Sequence, residues 1–260
     1  MRNIAIPVIF SLILVLASFT PAGKTRNTIS KIVIDPGHGG KDPGTSGSMS
    51  KEKDLALSIA KHLGRIMQDE LPEVEILYTR DDDSFPTLQQ RSDFANREGA
   101  DLFISVHCNW ISNPKIYGSE TYVMGLHKTE ENFQIAKREN AVILQEENYE
   151  ENYDGFDPNS PESYIFLTLQ QSAFQESSLK LATGIEKQLG TRAGRRSRGV
   201  KSAGFIVLYK TTMPSVLVET GYLSNSKEEA DLNDDLKQRY IASGIFRAIR
   251  DYKKEVESTN

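Results

Sequence analysis

Short runs of β-branched and apolar residues alternate along this chain with longer segments whose apolar residues recur at helical spacing. The clearest strand-like runs are Lys31–Asp35, Leu102–Val106 and Val216–Glu219. The clearest helical pattern runs from about Lys51 to Glu70, and Pro72 then prevents its continuation. This alternation predicts an α/β fold, with a mostly parallel sheet flanked by helices on both faces in a single domain that carries a helical insertion.

The remaining elements follow from the same two periodicities. The polar stretch from about 126 to 165 is interpreted as the insertion, and the domain as residues 31–255. Within the insertion, the acid-, Asn-, Gly- and Pro-rich run Asn148–Ser160 predicts an exposed loop. The other predicted strands are Val74–Thr79, Glu120–Met124 and Phe205–Leu208, and the other predicted helices are Thr87–Glu98, Glu130–Asn148, Glu162–Leu189 and Leu236–Lys254.

The N-terminal residues are typical of an export signal. Arg2 supplies a positive start, Ile4–Phe19 is almost wholly apolar, and small residues follow at Thr20–Ala22. We therefore interpret residues 1–22 as a cleaved signal peptide and expect a periplasmic or envelope-associated protein. An uncleaved membrane anchor is the alternative, although the apolar run is shorter than the roughly 20 residues that a spanning helix needs.

The bulk composition excludes some chemistry. Cys108 is the only cysteine, so no intrachain disulfide can form. The net charge of −5 provides no overall attraction to nucleic acid or to anionic membranes.

Ionisable residues lie where several predicted elements meet. His38 follows the first strand, His107 ends the strand at Leu102–Val106, and Glu219 ends the last strand. Loops at the carboxyl ends of parallel strands converge on one sheet edge. Glu52 lies in the first helical turn after the His38 loop and shares the face of Leu55, which points toward the sheet.

Two imidazoles and a carboxylate are a recurrent ligand set for catalytic zinc, with a fourth position left for water. A further carboxylate, Glu219, would transfer protons. Each residue has an ordinary structural alternative: a lone histidine is more often a core or surface residue, Glu52 would favour the positive start of a helix, and Glu219 could form an ion pair. His62 and His127 lie away from strand ends and are interpreted as structural or solvated.

Five motifs, in order, resemble the zinc-dependent N-acetylmuramoyl-L-alanine amidases, which are bacterial enzymes of cell-wall remodelling and daughter-cell separation. The motifs are IVIDPGHGGKDPG, KEKDLAL, SVHCN, RGVKSAGFIVL and PSVLVETGYLSN. The resemblance implies hydrolysis of the amide bond between N-acetylmuramic acid and L-alanine in peptidoglycan. It also implies that His38, Glu52 and His107 hold Zn²⁺ and that Glu219 is the catalytic acid and base.

The family often has Ala at the position of Cys108, which follows His107 directly. Neighbouring residues of a strand point to opposite faces, so we expect the thiol to face away from the metal. Asn109 and Asn225 are candidates for orienting ligands or substrate. The basic stretch Arg192–Lys201 is interpreted either as a contact to stem-peptide carboxylates or glycan, or as a solvated loop.

The insertion suggests regulation, because in related amidases a helix covers the active site and its carboxylate can occupy the open metal position. Glu139 is our first candidate for that autoinhibitory role, and a solvated acidic helix is the alternative. Displacing such a helix would require an envelope activator protein. Two other functions are considered: a zinc peptidase that cuts within stem peptides, and a non-catalytic wall-binding or activator protein.

Overall fold

The computed structural model describes residues 28–169 and 173–258, without the side chains of residues 168 and 169. The predicted signal peptide, residues 1–22, lies outside the described residues. Within them, no helix is both long and apolar enough to cross a lipid bilayer.

Six strands form one sheet. They are β1 (Lys31–Pro36), β2 (Glu75–Tyr78), β3 (Leu102–Asn109), β4 (Ser119–Met124), β5 (Ser197–Ala203) and β6 (Ser215–Tyr222). Their order in the sheet is β2-β1-β3-β6-β4-β5. Neighbouring strands are parallel except β4 and β6, which pair antiparallel. The reversal of β4 and β5 therefore brings the starts of these two strands to the edge where the other four strands end.

Nine α-helices and one 3₁₀ helix belong to the described residues. The α-helices are α1 (Glu52–Glu70), α2 (Leu88–Arg97), α3 (Glu130–Asn140), α4 (Tyr149–Asn152), α5 (Pro161–Leu169), α6 (Gln175–Arg192), α7 (Ile206–Tyr209), α8 (Ser226–Asn233) and α9 (Asp235–Ser258), and the 3₁₀ helix is Ala141–Gln145.

The sheet separates two apolar cores. On one face, alternate strand residues such as Ile104 and Val218 pack with side chains of α1, α6 and α9. On the other face, Phe103, Tyr122 and Leu217 pack with side chains of α2, α3, α5 and α7. The α/β fold with a mostly parallel sheet and helices on both faces is therefore confirmed.

One predicted strand is wrong, and a neighbouring strand was not predicted. The run Phe205–Leu208 is not a strand; Phe205 has an extended backbone and residues Ile206–Tyr209 form the single-turn helix α7. Periodicity cannot distinguish a short buried helix from a strand in such an apolar run. The strand in this region is β5, which the polar sequence SRGVKSA conceals because it forms an edge of the sheet and keeps much of its surface half-exposed.

The predicted helices around the insertion are too long. The helix expected over Glu130–Asn148 ends at Asn140, whose side chain donates to the Gly204 carbonyl and accepts from the Ile206 amide. The expected loop Asn148–Ser160 contains the one-turn helix α4. The helix expected over Glu162–Leu189 is two helices, α5 and α6, although no Gly or Pro marks the break.

Candidate active site

The loop after β1 carries His38 in a strained backbone conformation. His38 has a φ of 60°, in the left-handed region that non-glycine residues rarely adopt. Two buried arginines hold the loop by its carbonyl oxygens: Arg80 donates to Pro36 and Gly37, and Arg91 donates to Pro36 and His38. These charge-assisted hydrogen bonds stabilise a backbone that would otherwise relax.

Asp35, at the end of β1, anchors Arg91. Its carboxylate lies 2.8 Å from Arg91 Nη1 and accepts hydrogen bonds from Thr79 and Ser105. Burial alone would raise the pKa of Asp35, but the Arg91 charge and these hydrogen bonds outweigh burial and lower it. The pair therefore places a permanently charged group under the His38 loop.

The His38 ring is oriented by a carboxylate of its own loop. Asp42 Oδ2 lies 2.7 Å from His38 Nδ1, so the proton of that nitrogen is held there and Nε2 is left to face the site. The buried Nε2 has no hydrogen-bond partner among the described residues. Asp42 was not among the predicted site residues, although a carboxylate four positions after a histidine in a Gly-rich loop is a usable signal.

Glu52 begins α1 and is fully buried, as the helical pattern predicts. Its Oε2 accepts from the backbone and hydroxyl of Thr45, and its Oε1 accepts from the Cys108 amide. Oε1 also lies 3.1 Å from His38 Nε2 and 3.0 Å from His107 Nδ1. One carboxylate oxygen is thus fixed while the other is held between two imidazoles.

His107 belongs to β3 and lies against the loop that precedes His38. A methyl group on Gly37 would be 2.3 Å from His107 Cε1, so only glycine permits this approach. The rings of His38 and His107 have centroids 4.8 Å apart and are nearly perpendicular.

Four side chains converge at one point: His38, Glu52, His107 and Glu139 each offer a ligand atom, and these atoms lie within 4.8 Å of one another. Glu139 Oε2 lies 3.2 Å from His38 Nε2 and 3.4 Å from His107 Nδ1. All four side chains are at most 8% exposed. Two imidazole nitrogens and carboxylate oxygens, with Nε2 of His38 and Oε2 of Glu139 otherwise unpartnered, fit a divalent metal ion.

Glu139 reaches this cluster from α3, and its neighbour fixes it there. Arg138 Nε donates to Glu139 Oε1 at 3.0 Å, and the same guanidinium donates to the Trp110 carbonyl and to Asn109 Oδ1. Burial alone would raise the pKa of Glu139, but Arg138 and the two histidines hold it well below its usual value. Two other acidic residues of the predicted insertion do not join the cluster: Glu146 accepts from the Tyr153 hydroxyl, and Glu147 contributes no ligand atom to it.

Glu219 lies beside the cluster on β6, directly opposite His107 of β3 in the strand register. It is fully buried, and neither of its oxygens accepts a hydrogen bond from the part of the chain that the structure describes. Burial, followed by the charges of Glu139 and Glu52, raises the pKa of Glu219 well above its usual value. A buried carboxyl group whose pKa is raised is suited to proton transfer.

The other predicted residues have structural surroundings. Cys108 faces the opposite core, with its Sγ 3.3 Å from the Thr220 hydroxyl, so the expected orientation away from His107 is confirmed. His62 pairs with Asp235, and His127 stacks on Phe133. Asn225 caps α8 by accepting from the amides of Lys227 and Glu228.

A buried acid at the start of β4 was missed from the sequence. Glu120 lies opposite Glu219 across β4 and β6, and it accepts from Asn109 and the Tyr122 hydroxyl. A site search confined to the carboxyl ends of strands overlooks it, because β4 runs in the reverse direction and places its start at that edge.

Comparison with known proteins identifies the family of the chain. A family model described as N-acetylmuramoyl-L-alanine amidase matches residues 32–251. The chain belongs to this family. The amidase is 32% identical to N-acetylmuramoyl-L-alanine amidase AmiA of Escherichia coli (strain K12) over 236 residues, which cover 89% of this chain and 79% of AmiA. It therefore hydrolyses the amide bond between N-acetylmuramic acid and L-alanine of peptidoglycan.

Solved structures share the fold. The N-acetylmuramoyl-L-alanine amidase from Clostridium difficile 630 superposes on the amidase with a TM-score of 0.64 at 26% identity, over 86% of this chain and 97% of that one. The CwlD amidase from Clostridioides difficile, solved in complex with the GerS lipoprotein, gives a TM-score of 0.63 at 24% identity, over 87% of this chain and 99% of that one.

Proposed function

We propose that the amidase is zinc-dependent, that His38, Glu52 and His107 hold the metal, and that Glu219 is its catalytic acid and base. The convergence of those three ligands beside Glu219, from four separate elements of the chain, is the observation that carries the proposal. A bound zinc ion would polarise the amide carbonyl and lower the pKa of a bound water from about 15.7 to about 7.

The residues of the chain supply the remaining chemistry. Asp42 keeps His38 in the tautomer whose Nε2 faces the cluster, and the Thr45 and Cys108 hydrogen bonds orient Glu52. Glu219, with no competing hydrogen-bond donor, accepts a proton from the attacking water and returns it to the departing L-alanine amine.

We further propose that the amidase is inhibited by its own helix α3, through Glu139. The support is geometric: Glu139 is the fourth member of the ligand cluster, so its carboxylate takes the position that water or substrate needs. Replacing Glu139 with Gln should weaken this hold and raise amidase activity, whereas the same change at the exposed Glu130 of α3 should not. Equal activity of the two variants would contradict autoinhibition.

Two observations support a proposal for where the amidase acts and what activates it. Residues 1–22 have the composition of an export signal, which suits a substrate outside the cytoplasm. The similar CwlD amidase was solved with a lipoprotein, so a comparable envelope protein is proposed as the activator that displaces α3. Cell-wall remodelling or daughter-cell separation is the proposed role.

Digestion of purified sacculi, with and without a chelator, tests the central proposal. Mass spectrometry should find peptides with a free L-alanine amine and glycan with a free lactyl carboxyl group, and the chelator should abolish both products. New termini within stem peptides would instead indicate a peptidase. Binding to sacculi with no product, by protein that contains no metal, would indicate a non-catalytic wall protein.

A further inference from the structure

Arg198 and Lys201, on the edge strand β5, share two carboxylates. Glu120 Oε2 lies 3.2 Å from Arg198 Nε and 2.5 Å from Lys201 Nζ. Glu131 Oε1, from the first turn of α3, lies 3.1 Å from Arg198 Nη2 and 3.6 Å from Lys201 Nζ. The four side chains form a closed network of two positive and two negative charges, which we call the β5 charge cluster.

The β5 charge cluster continues the active site along one face of the sheet. His107, Glu219 and Glu120 are cross-strand neighbours on β3, β6 and β4. The next strand is β5, with Lys201 paired to Tyr122 in register. Adjacent strands are about 4.8 Å apart, so the β5 backbone, which carries Arg198 and Lys201, lies roughly 10 Å from β6 across the sheet.

The two acids of the cluster differ in what holds them. Glu120 is fully buried within the sheet and has two further hydrogen-bond donors, Asn109 and Tyr122. The Glu131 side chain is 36% exposed and belongs to α3, the helix whose Glu139 enters the metal cluster. Displacement of α3 would therefore remove one negative charge and leave Glu120 facing two cations. Such a site has one uncompensated positive charge, which another carboxylate would balance.

We propose that Arg198 and Lys201 bind a carboxylate of the stem peptide, and that Glu131 occupies this subsite while α3 covers it. The proposal rests on the proposed function, because it requires the scissile amide to lie at the metal cluster. Helix α3 then resembles the substrate in two places at once: Glu139 takes the metal position and Glu131 takes the carboxylate position.

The spacing of the two acids fits a stem peptide. Glu131 and Glu139 are eight residues apart, which is about 12 Å along a helix. An extended peptide covers about 3.3 Å per residue, so 12 Å is between three and four residues. The γ-linkage of the second residue and the long side chain of the third each add length beyond an ordinary backbone, so the bound carboxylate belongs to the second or third residue of the stem peptide.

Binding of the free peptide tests this subsite without requiring turnover. The protein used is the full-length Glu131→Gln/Glu139→Gln variant, in which α3 carries neither competing carboxylate. The ligands are the tripeptide L-Ala-γ-D-Glu-diaminopimelate and two amidated forms, one blocked at the second residue and one at the third. We expect calorimetry to give at least tenfold weaker binding for one amidated form, which then identifies the carboxylate. Equal affinities for all three peptides, or no binding of any, would overturn the proposal.

Kinetics on matched muropeptides provide a second measurement. In the same Glu131→Gln/Glu139→Gln background, Lys201→Met should raise KM about tenfold, with little change in kcat, for the substrate that has the free carboxylate. It should not change KM for the substrate in which that carboxylate is amidated. Arg196→Gln is the matched control, because it removes one positive charge from the same segment but Arg196 stacks on Tyr117 outside the cluster. A KM increase for every substrate, or one that Arg196→Gln reproduces, would show that Lys201 has no specific role. Failure of all proteins to release the L-alanine amine would contradict the proposed function and leave the calorimetric result to decide the subsite.

Discussion

Glu219 of β6 and His107 of β3 are directly opposite each other in a parallel strand pair, so their side chains project from the same face of the sheet. His107 is held by Glu52 and by contact with Gly37, whereas Glu219 has no hydrogen-bond partner within the described residues. One residue is therefore fixed in place and the other is free to exchange a proton. Substitutions of His107 and of Glu219 should therefore have different effects.

Replacing Glu219 with Gln should leave the fold and the metal content intact and lower turnover by roughly 10²–10⁴-fold. The amide is nearly isosteric and removes a negative charge that faces Glu139 and Glu52, so thermal stability should not fall. Amine release from muropeptides and metal analysis of the same sample measure both effects. Full activity of the variant would refute the role of Glu219 in proton transfer.

Replacing His107 with Ala should remove bound zinc as well as activity, because the remaining cluster has only one imidazole. His62→Ala is the matched control, since His62 pairs with Asp235 and lies outside the cluster. Elemental analysis after dialysis should give close to one zinc per chain for the control and much less for His107→Ala. Equal zinc content in the two variants would exclude His107 as a ligand.

Replacing Gly37 with Ala should lower zinc affinity, because the added methyl group would lie 2.3 Å from His107 Cε1 and displace the ring. Gly184→Ala provides a control with the same chemical change. Gly184 lies in α6, where Ala is favoured over Gly by up to about 1 kcal/mol, and its added methyl group would make an ordinary 3.6 Å contact to Cβ of Ala248 in α9. Competition with a chelator measures the affinity of each variant, and Gly37→Ala should be the weaker. Indistinguishable affinities would mean that the ring has room to move.

The Asp35–Arg91 pair should make stability fall in acid. The pKa of Asp35 is lowered in the folded protein, so its stabilising effect is complete above the unfolded pKa of about 3.9 and is lost as the pH falls toward the folded pKa. Asp35→Asn should cost about 3–5 kcal/mol at pH 7, since Arg91 is left buried without its partner. Between pH 5 and 3, the free energy of unfolding of the Asp35→Asn variant should then fall less steeply than that of the unchanged protein. Urea titrations with chelator present measure both. Parallel pH profiles of the two proteins would show that Asp35 is not responsible.

Much of the fold and of the site could be predicted because the relevant signals are local. The buried strands β1, β3 and β6 contain the uninterrupted apolar runs Ile32–Ile34, Leu102–Ile104 and Val216–Val218. His38, His107 and Glu219 each follow one of these runs within four residues. Glu52 could be placed because the helical period gives its face. The orientation of Cys108 followed from strand alternation.

The rest depends on contacts between distant parts of the chain. β5 is polar in sequence and forms a strand because β4 offers it an edge, whereas the apolar run Ile206–Tyr209 forms a helix that is buried against α2 and the sheet. Glu120 belongs to the site only because its strand is reversed. No local pattern reports that reversal or the pairing of Glu131 with β5.

The core-facing side chains of α3 affect how often the helix would leave the active site uncovered. Phe133 and Ile135 are buried in the core beneath the helix, and exposing two such side chains costs about 3–6 kcal/mol. At 1.4 kcal/mol per factor of ten, the covered form outnumbers the uncovered one by roughly 10²- to 10⁴-fold before any ion pair is counted. Under the proposed autoinhibition, an activator that only neutralised Glu139 and Glu131 would leave the active site shut most of the time. The proposed activator must therefore also offer apolar surface to the released helix or to the face left behind.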